Sequence, residues 1–150
     1  MSAGMAEPVE LFGAYPNTVV MSYEYNWKIR FDDIDRAGVL FYPELFRASH
    51  RAVEDYMEDI GFQFGEIVEE GWGMPVVHAE AEYHIPLRYG DLVRIEVTAD
   101  PGETSVHFDV IGYTDNDEVA FEVGETHVTV DMETFETIEV PPELQEALAE

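Results

Sequence analysis

The chain has 150 residues, of which 33 are acidic and only 7 are Lys or Arg, and it contains no cysteine. That length suits one domain with one core, and the missing thiol excludes disulfides, thiolate metal sites and a cysteine nucleophile. At a formal net charge of −26, no window offers the clustered cations that a polyphosphate or nucleic-acid backbone needs to displace its counterions, so nucleic acid is not an expected partner.

An apolar share of 46% is too high for a disordered acidic chain, whose self-repulsion would go uncompensated by burial. Lys28 is the sole lysine, and acids are spread along the whole sequence rather than gathered in one patch. Such a charge destabilises the compact state in dilute buffer. At about 1 M salt the Debye length falls to about 3 Å and the repulsion is screened. The expectation is a halophilic protein in a salty cytoplasm. Met1 to Val20 hold no Lys or Arg to start a signal peptide, and no segment approaches the ~18 uninterrupted apolar residues of a membrane span.

Residues 1–22 are of mixed polarity and are expected to be a poorly ordered lead-in to a single folded domain over 23–150. Tyr23, Tyr25, Trp27, Ile29 and Phe31 then alternate with Glu24, Asn26, Lys28, Arg30 and Asp32, which predicts a half-buried strand through Phe31. The stretch Asp32 to Gly38 is too polar to continue it. Pro43 and Glu44 fit the first turn of a helix. From Leu45 the apolar residues recur at spacings of three and four, through Phe46, Ala52, Val53, Tyr56, Met57 and Ile60, with Gly61 as the stop, a helix of about 17 residues.

A connecting stretch, Phe62 to Gly73, follows without predicted structure. Strands are then predicted over 74–87, 92–99, 105–113 and 119–130, with a further short one over 135–140. Turn signals separate them at Tyr89-Gly90-Asp91, Asp100-Pro101-Gly102 and Thr114 to Asp117. Pro141-Pro142-Glu143 opens a terminal helix through Leu148. One strand, a long helix and four or five further strands share one core if an antiparallel sheet of about five strands curls around the helix. That is the α+β hotdog fold. Its open sheet edge predicts a homodimer or homotetramer.

The run Asp35-Arg36-Ala37-Gly38-Val39-Leu40-Phe41-Tyr42-Pro43, between an aromatic-rich strand and a long helix, resembles the signature of the hotdog-fold 4-hydroxybenzoyl-CoA thioesterase family. Gly73-Met74-Pro75-Val76-Val77, Tyr89-Gly90-Asp91-Leu92 and Ile138-Glu139-Val140-Pro141 resemble later segments of the same family. The likeness spans roughly residues 23–145. It implies hydrolysis of an acyl-CoA thioester, with Asp35 as nucleophile or general base and the Tyr42 backbone N–H polarising the carbonyl. Elementary chemistry agrees: thioester hydrolysis needs a carboxylate to attack or to activate water, and a fixed donor for the oxyanion. A helix N-terminus supplies unpaired N–H groups. Pro43 has none, which leaves those of Phe41, Tyr42 and Glu44.

Gly38 lets backbone and thioester approach closely, with Val39 and Phe41 beside it. The resemblance places His50 at the acyl pocket, and Met74, Val76 and His78 of a second subunit across from it. His78, His84, His107 and His127 stand singly on predicted strands without a His-x-x-x-His or zinc spacing, so neither a metal nor any other cofactor is expected. No Ser lies in a Gly-x-Ser-x-Gly elbow. The turn at Asp100 to Thr104 lacks the basic residues with which relatives often hold the CoA phosphates, leaving Arg36, Arg47, Arg51, Arg88 and Arg94 as substitutes. A hydratase is disfavoured by Tyr42, which stands where that chemistry usually needs a His near the helix start. A non-catalytic acyl-CoA or lipid-binding module is the alternative from a different class.

Overall fold

Alternation along the first long strand decides which side of the sheet meets the core. The computed structural model describes residues 4–5 and 21–149, so the expected lead-in lies outside the described residues except at its ends. There β1 (Gly4–Met5) pairs antiparallel with the start of β2 (Met21–Lys28). In β2, Tyr23 is buried, Tyr25 and Trp27 are half-buried, and Asn26 and Lys28 are exposed, the period of two that a one-sided sheet imposes. The row does not extend to Phe31 as predicted: that residue opens a 3-10 turn (Phe31–Asp33) and is 76% exposed. The cause is local. Asp33 Oδ2 accepts the Arg30 N–H at 2.8 Å, and the Asp33 N–H donates to the Arg30 carbonyl at 3.0 Å, so a side chain offers the backbone an alternative to the ladder.

Helix α1 (Tyr42–Asp59) buries Leu45, Ala48, Ser49, Ala52, Val53, Tyr56 and Met57, the single stripe that its spacing predicts. Gly61, at φ +91°, closes its end. The following stretch is not a plain connection: Phe64–Glu69 form a short helix, α2, fixed by burial of Ile67. Two-residue strand β3 (Trp72–Gly73) pairs with β8 (Val130–Asp131).

The remaining strands are β4 (Val76–Tyr83), β5 (Leu92–Pro101), β6 (Ser105–Tyr113) and β7 (Val119–Val128). The predicted strand over 74–87 is shorter at both ends. The strand predicted over 119–130 breaks at Thr129, whose N–H turns to the Thr104 carbonyl and whose hydroxyl turns to that of Ile138. Residues 135–140 are not a strand. Phe135 stands at φ +61°, and Asp131 Oδ1 accepts the N–H groups of Glu133 and Thr134 to close a turn, leaving one isolated bridge, Val130 to Thr137. Helix α3 (Pro142–Ala149) buries Leu144 and Leu148.

The sheet order is β1-β2-β5-β6-β7-β4, every neighbouring pair antiparallel. Helix α1 packs against β2, β5 and β6, which is the α+β hotdog arrangement. Val93, Ile95 and Val97 of β5, Val106, Phe108 and Val110 of β6, and Phe121 and Val123 of β7 form the sheet side of the core. At Gly112 a β-carbon would fall into the ring of Phe121. Strand β4 is an outer edge whose Val76, Val77 and Tyr83 are exposed. Among the described residues no helix is long and apolar enough to cross a membrane.

Candidate active site

The loop from Asp35 to Phe41 is built by its own first residue. Asp35 Oδ1 accepts the N–H of Ala37 at 2.8 Å and that of Val39 at 3.4 Å, the local bonding that makes Asp a turn residue. Its N–H donates to the Val39 carbonyl at 2.9 Å, and its carbonyl accepts the Gly38 N–H at 3.0 Å. Gly38 sits at φ +82°, a backbone that favours glycine. Bridges from Ile34 to Leu40 and from Val39 to Arg88 fasten the loop to the body. One carboxylate oxygen of Asp35 therefore sets the loop, while Oδ2 has no hydrogen bond among the described residues. The residue is exposed, and a carboxylate fixed through one oxygen can present the other to a substrate or a water.

The helix start sorts the three candidate oxyanion donors. Phe41 donates its N–H to the Asp33 carbonyl at 2.8 Å, and Glu44 donates to the Phe41 carbonyl at 2.9 Å. Pro43 has no N–H. Tyr42, the first helical residue, keeps an N–H without a partner among the described residues, at the positive end of the helix dipole. Its carbonyl accepts the Tyr83 hydroxyl at 2.9 Å. An apolar cleft of about 250 Å³ opens beside this loop, lined by Val39, Leu40, Tyr83, Leu87 and Phe121 among others.

The other predicted site residues separate into two further places. Val76 and His78 lie exposed on the β4 edge, where His78 Nε2 meets Glu80 Oε2 at 3.4 Å. His50 and Met74 join a group that the sequence had not marked. His50 Nδ1 lies 3.3 Å from Glu125 Oε1, His127 Nε2 lies 2.9 Å from the same oxygen, and His127 Nδ1 donates to the Met74 carbonyl at 2.7 Å. Phe64 stacks on both imidazoles at ring separations of 5.9 and 6.0 Å. The Glu125 hydrogen bond raises the pKa of His50 against the opposing effect of burial. Burial pushes the Glu125 carboxyl up, but the hydrogen bonds from His127 and His50 outweigh it and hold the pKa below its ordinary value. The signal was faint: Glu125 and His127 share the inward parity of Phe121 and Val123 on β7.

Of the cations left to hold phosphates, Arg94 is engaged by Glu24, Glu96 and Asp117 at 3.6, 3.1 and 2.7 Å, and Arg47 by Glu44 at 3.6 Å. Arg36, within the Asp35 loop, and Arg88, bridged to Val39, make no ion pair among the described residues. Two His and carboxylate groups have metal-compatible spacing: His50, Glu125 and His127, and the more exposed Glu82, His84 and Glu122.

The chain is 32% identical over 92 residues to the 1,4-dihydroxy-2-naphthoyl-CoA hydrolase of Prochlorococcus marinus (strain MIT 9303), a match covering 54% of this chain and 61% of that one. The chain thus spans less than two thirds of that relative's length. Its fold matches a 1,4-dihydroxy-2-naphthoyl-CoA thioesterase from Synechocystis at a TM-score of 0.80, with 18% identity over 85% of this chain and 95% of that one. It also matches a gentisyl-coenzyme A thioesterase at 0.76, with 24% identity over 84% of this chain and 99% of that one. The family model described as the thioesterase-like superfamily matches residues 29–148, and with most of the chain so covered, this protein belongs to that superfamily.

Proposed function

We propose that the protein hydrolyses an acyl-CoA thioester, with Asp35 as nucleophile or general base and the Tyr42 N–H as oxyanion donor. The observation that carries this reading is the pairing of a loop-fixed carboxylate with the open N–H at the helix start. On the general-base route, Asp35 takes a proton from water as the water oxygen bonds to the carbonyl carbon. The oxyanion forms against Tyr42, the C–S bond breaks, and the proton passes to the departing CoA sulfur, giving acid and free thiol. On the nucleophilic route the carboxylate oxygen attacks the carbonyl carbon, the C–S bond breaks to release CoA thiolate, which takes up a proton, and water hydrolyses the resulting mixed anhydride to the acid and free Asp35. No metal or redox step is required by either route.

The cleft beside the loop is smaller than the ~300–1,000 Å³ of a typical small-molecule site, so it suits the acyl end of the substrate rather than the whole. Val39 forms its near wall with Gly38 and Phe41 on the adjoining loop, and Val76 and His78 of a second copy docked along the β4 edge face it in a homodimer, whereas Met74 is buried in its own subunit. Arg36 and Arg88, near the Asp35 loop and without ion pairs among the described residues, are the side chains we assign to the CoA phosphates. The names of the relatives favour a hydroxylated aromatic acyl group. The charge supports a concentrated-salt cytoplasm as the working solvent.

The test is thiol release from a panel of aromatic and aliphatic acyl-CoAs in concentrated KCl, comparing the native chain with Asp35→Asn. Turnover of an aromatic acyl-CoA that falls at least about 10²-fold in the variant is expected. No turnover by the folded native protein, or turnover indifferent to Asp35→Asn, overturns the reading and leaves a binding module.

A further inference from the structure

The His50, Glu125 and His127 group presents a bonding problem that hydrogen-bond chemistry can state. Glu125 is 3% exposed and His127 is fully buried, yet among the described residues only the two histidines, and no Lys or Arg, pair with this carboxylate. His127 Nδ1 lies 2.7 Å from the Met74 carbonyl. A carbonyl only accepts, so Nδ1 carries a proton. In neutral His127, Nε2 then turns a lone pair toward Glu125 Oε1 at 2.9 Å. Two acceptors at that distance need a cation between them, either a proton or a metal ion.

We propose that His50 Nδ1, Glu125 Oε1 and His127 Nε2 together bind one divalent transition-metal ion of the zinc class. The three ligand atoms lie within 4.8 Å of one another. With bonds of about 2.0–2.1 Å, ligand atoms around a tetrahedral ion stand about 3.3–3.5 Å apart. The separations from Glu125 Oε1 are 2.9 Å to His127 and 3.3 Å to His50, so small side-chain shifts accommodate the ion. The Met74 carbonyl fixes the His127 tautomer from its far nitrogen, the arrangement that outer-shell acceptors give to ligating histidines.

Two imidazoles and one carboxylate suit zinc-like ions better than magnesium or calcium, which favour all-oxygen sets. As ligands, two neutral imidazoles and a carboxylate carry one negative charge between them, which a divalent ion reverses. The His50 side chain is 43% exposed, which gives an ion a way in without unfolding the chain. Bound there, the ion ties α1 to β7. No His-x-x-x-His spacing marks this set because its members come from a helix and from alternate positions of one distant strand.

The experiment titrates chelator-treated full-length protein with Zn²⁺ by calorimetry and with Co²⁺ by visible absorption, in the native chain and in His50→Ala, Glu125→Gln and His84→Ala. His50→Ala removes a half-exposed side chain and keeps the fold testable by circular dichroism. His84→Ala disables the exposed Glu82, His84 and Glu122 group. The expected result is one saturable site per chain with the intense absorption of four-coordinate Co²⁺. Affinity should fall by at least about 10–100-fold in His50→Ala and in Glu125→Gln, and stay unchanged in His84→Ala. Absence of saturable binding, binding indifferent to His50→Ala, or binding abolished by His84→Ala overturns the proposal. The readout is metal occupancy, so it stands or falls separately from the thioesterase reading.

Discussion

Phe41 donates its backbone N–H to the carbonyl of Asp33 at 2.8 Å, and this bond leaves its neighbour Tyr42 with the open donor of the helix start. Phe41 is already extended, at φ −71° and ψ 119°, the backbone required before a proline. Tyr42→Pro therefore removes the N–H while fitting the local conformation, as proline does at the first helical position. Its kcat should drop by about 10²–10³-fold, the loss typical of one oxyanion donor. Tyr42→Phe, which keeps the N–H, should stay near the native value. Steady-state kinetics on any accepted acyl-CoA checks both, and equal losses in the two variants would assign the effect to the side chain.

The ring of Phe121 occupies the space over Gly112, so Gly112→Ala forces ring and strand apart. Overpacking of this kind costs about 1–3 kcal/mol. A lower urea midpoint at unchanged m-value is expected, and a midpoint equal to the native one would mean that the ring moves freely.

His107 places Nε2 3.2 Å from Oδ1 of the buried Asp109 and Nδ1 2.9 Å from the Thr126 hydroxyl. The Asp109 hydrogen bond raises its pKa above the ordinary 6.5, burial opposes this, and the charges of Asp109, Asp100 and Glu80 add to the rise. A raised folded-state value contributes stability that is complete below pH 6.5 and is lost as pH climbs through the folded value. Thermal melts of the native chain and of His107→Gln, taken from about pH 5.5 to about pH 8.5, should differ most at the acidic end. A gap that widens with pH would contradict this sign.

Val76 and Val77 are 44% and 59% exposed on the outer strand β4, an apolar edge that a second copy would cover. Val76→Glu/Val77→Glu leaves the lone subunit nearly unperturbed and puts unpaired carboxylates into the joint. Light scattering should report a dimer for the native chain and a monomer for the double variant. A native monomer would remove the second subunit from the site.

The net charge of −26 makes a further prediction. Raising KCl from about 0.1 M to about 2 M shortens the screening length several-fold, so Tm should rise steeply. A flat response would leave the acidic surface without a stabilising solvent.

Periodicity located the elements that stand on their own pattern. Strand β6 runs from Ser105 to Tyr113 as read, because turns bound it and Val106, Phe108 and Val110 alternate with His107 and Asp109. Helix α1 was equally legible from its three- and four-residue spacing. Helix α2 was not: six residues are too few to hold helix by local bonds alone, and the packing of Ile67 and Phe64 fixes them. Phe31 looked like one more inward residue until the Asp33 carboxylate turned the chain. The Asp35 turn was readable because the bonds its side chain makes to Ala37 and Val39 span at most four residues. His50 and Glu125 lie 75 positions apart, and nothing local in one sequence links a helix residue to a particular strand carboxylate.

The Tyr83 hydroxyl on the Tyr42 carbonyl has a mechanical meaning. Tyr83 ends the outermost strand, and Tyr42 begins the central helix. A single side chain thus braces the rim of the sheet against the residue whose amide is proposed as the oxyanion donor. A displacement of that rim, by a neighbour settling against it or leaving it, is transmitted to the helix start, where the proposed oxyanion donor lies, through one bond, without passing through the core.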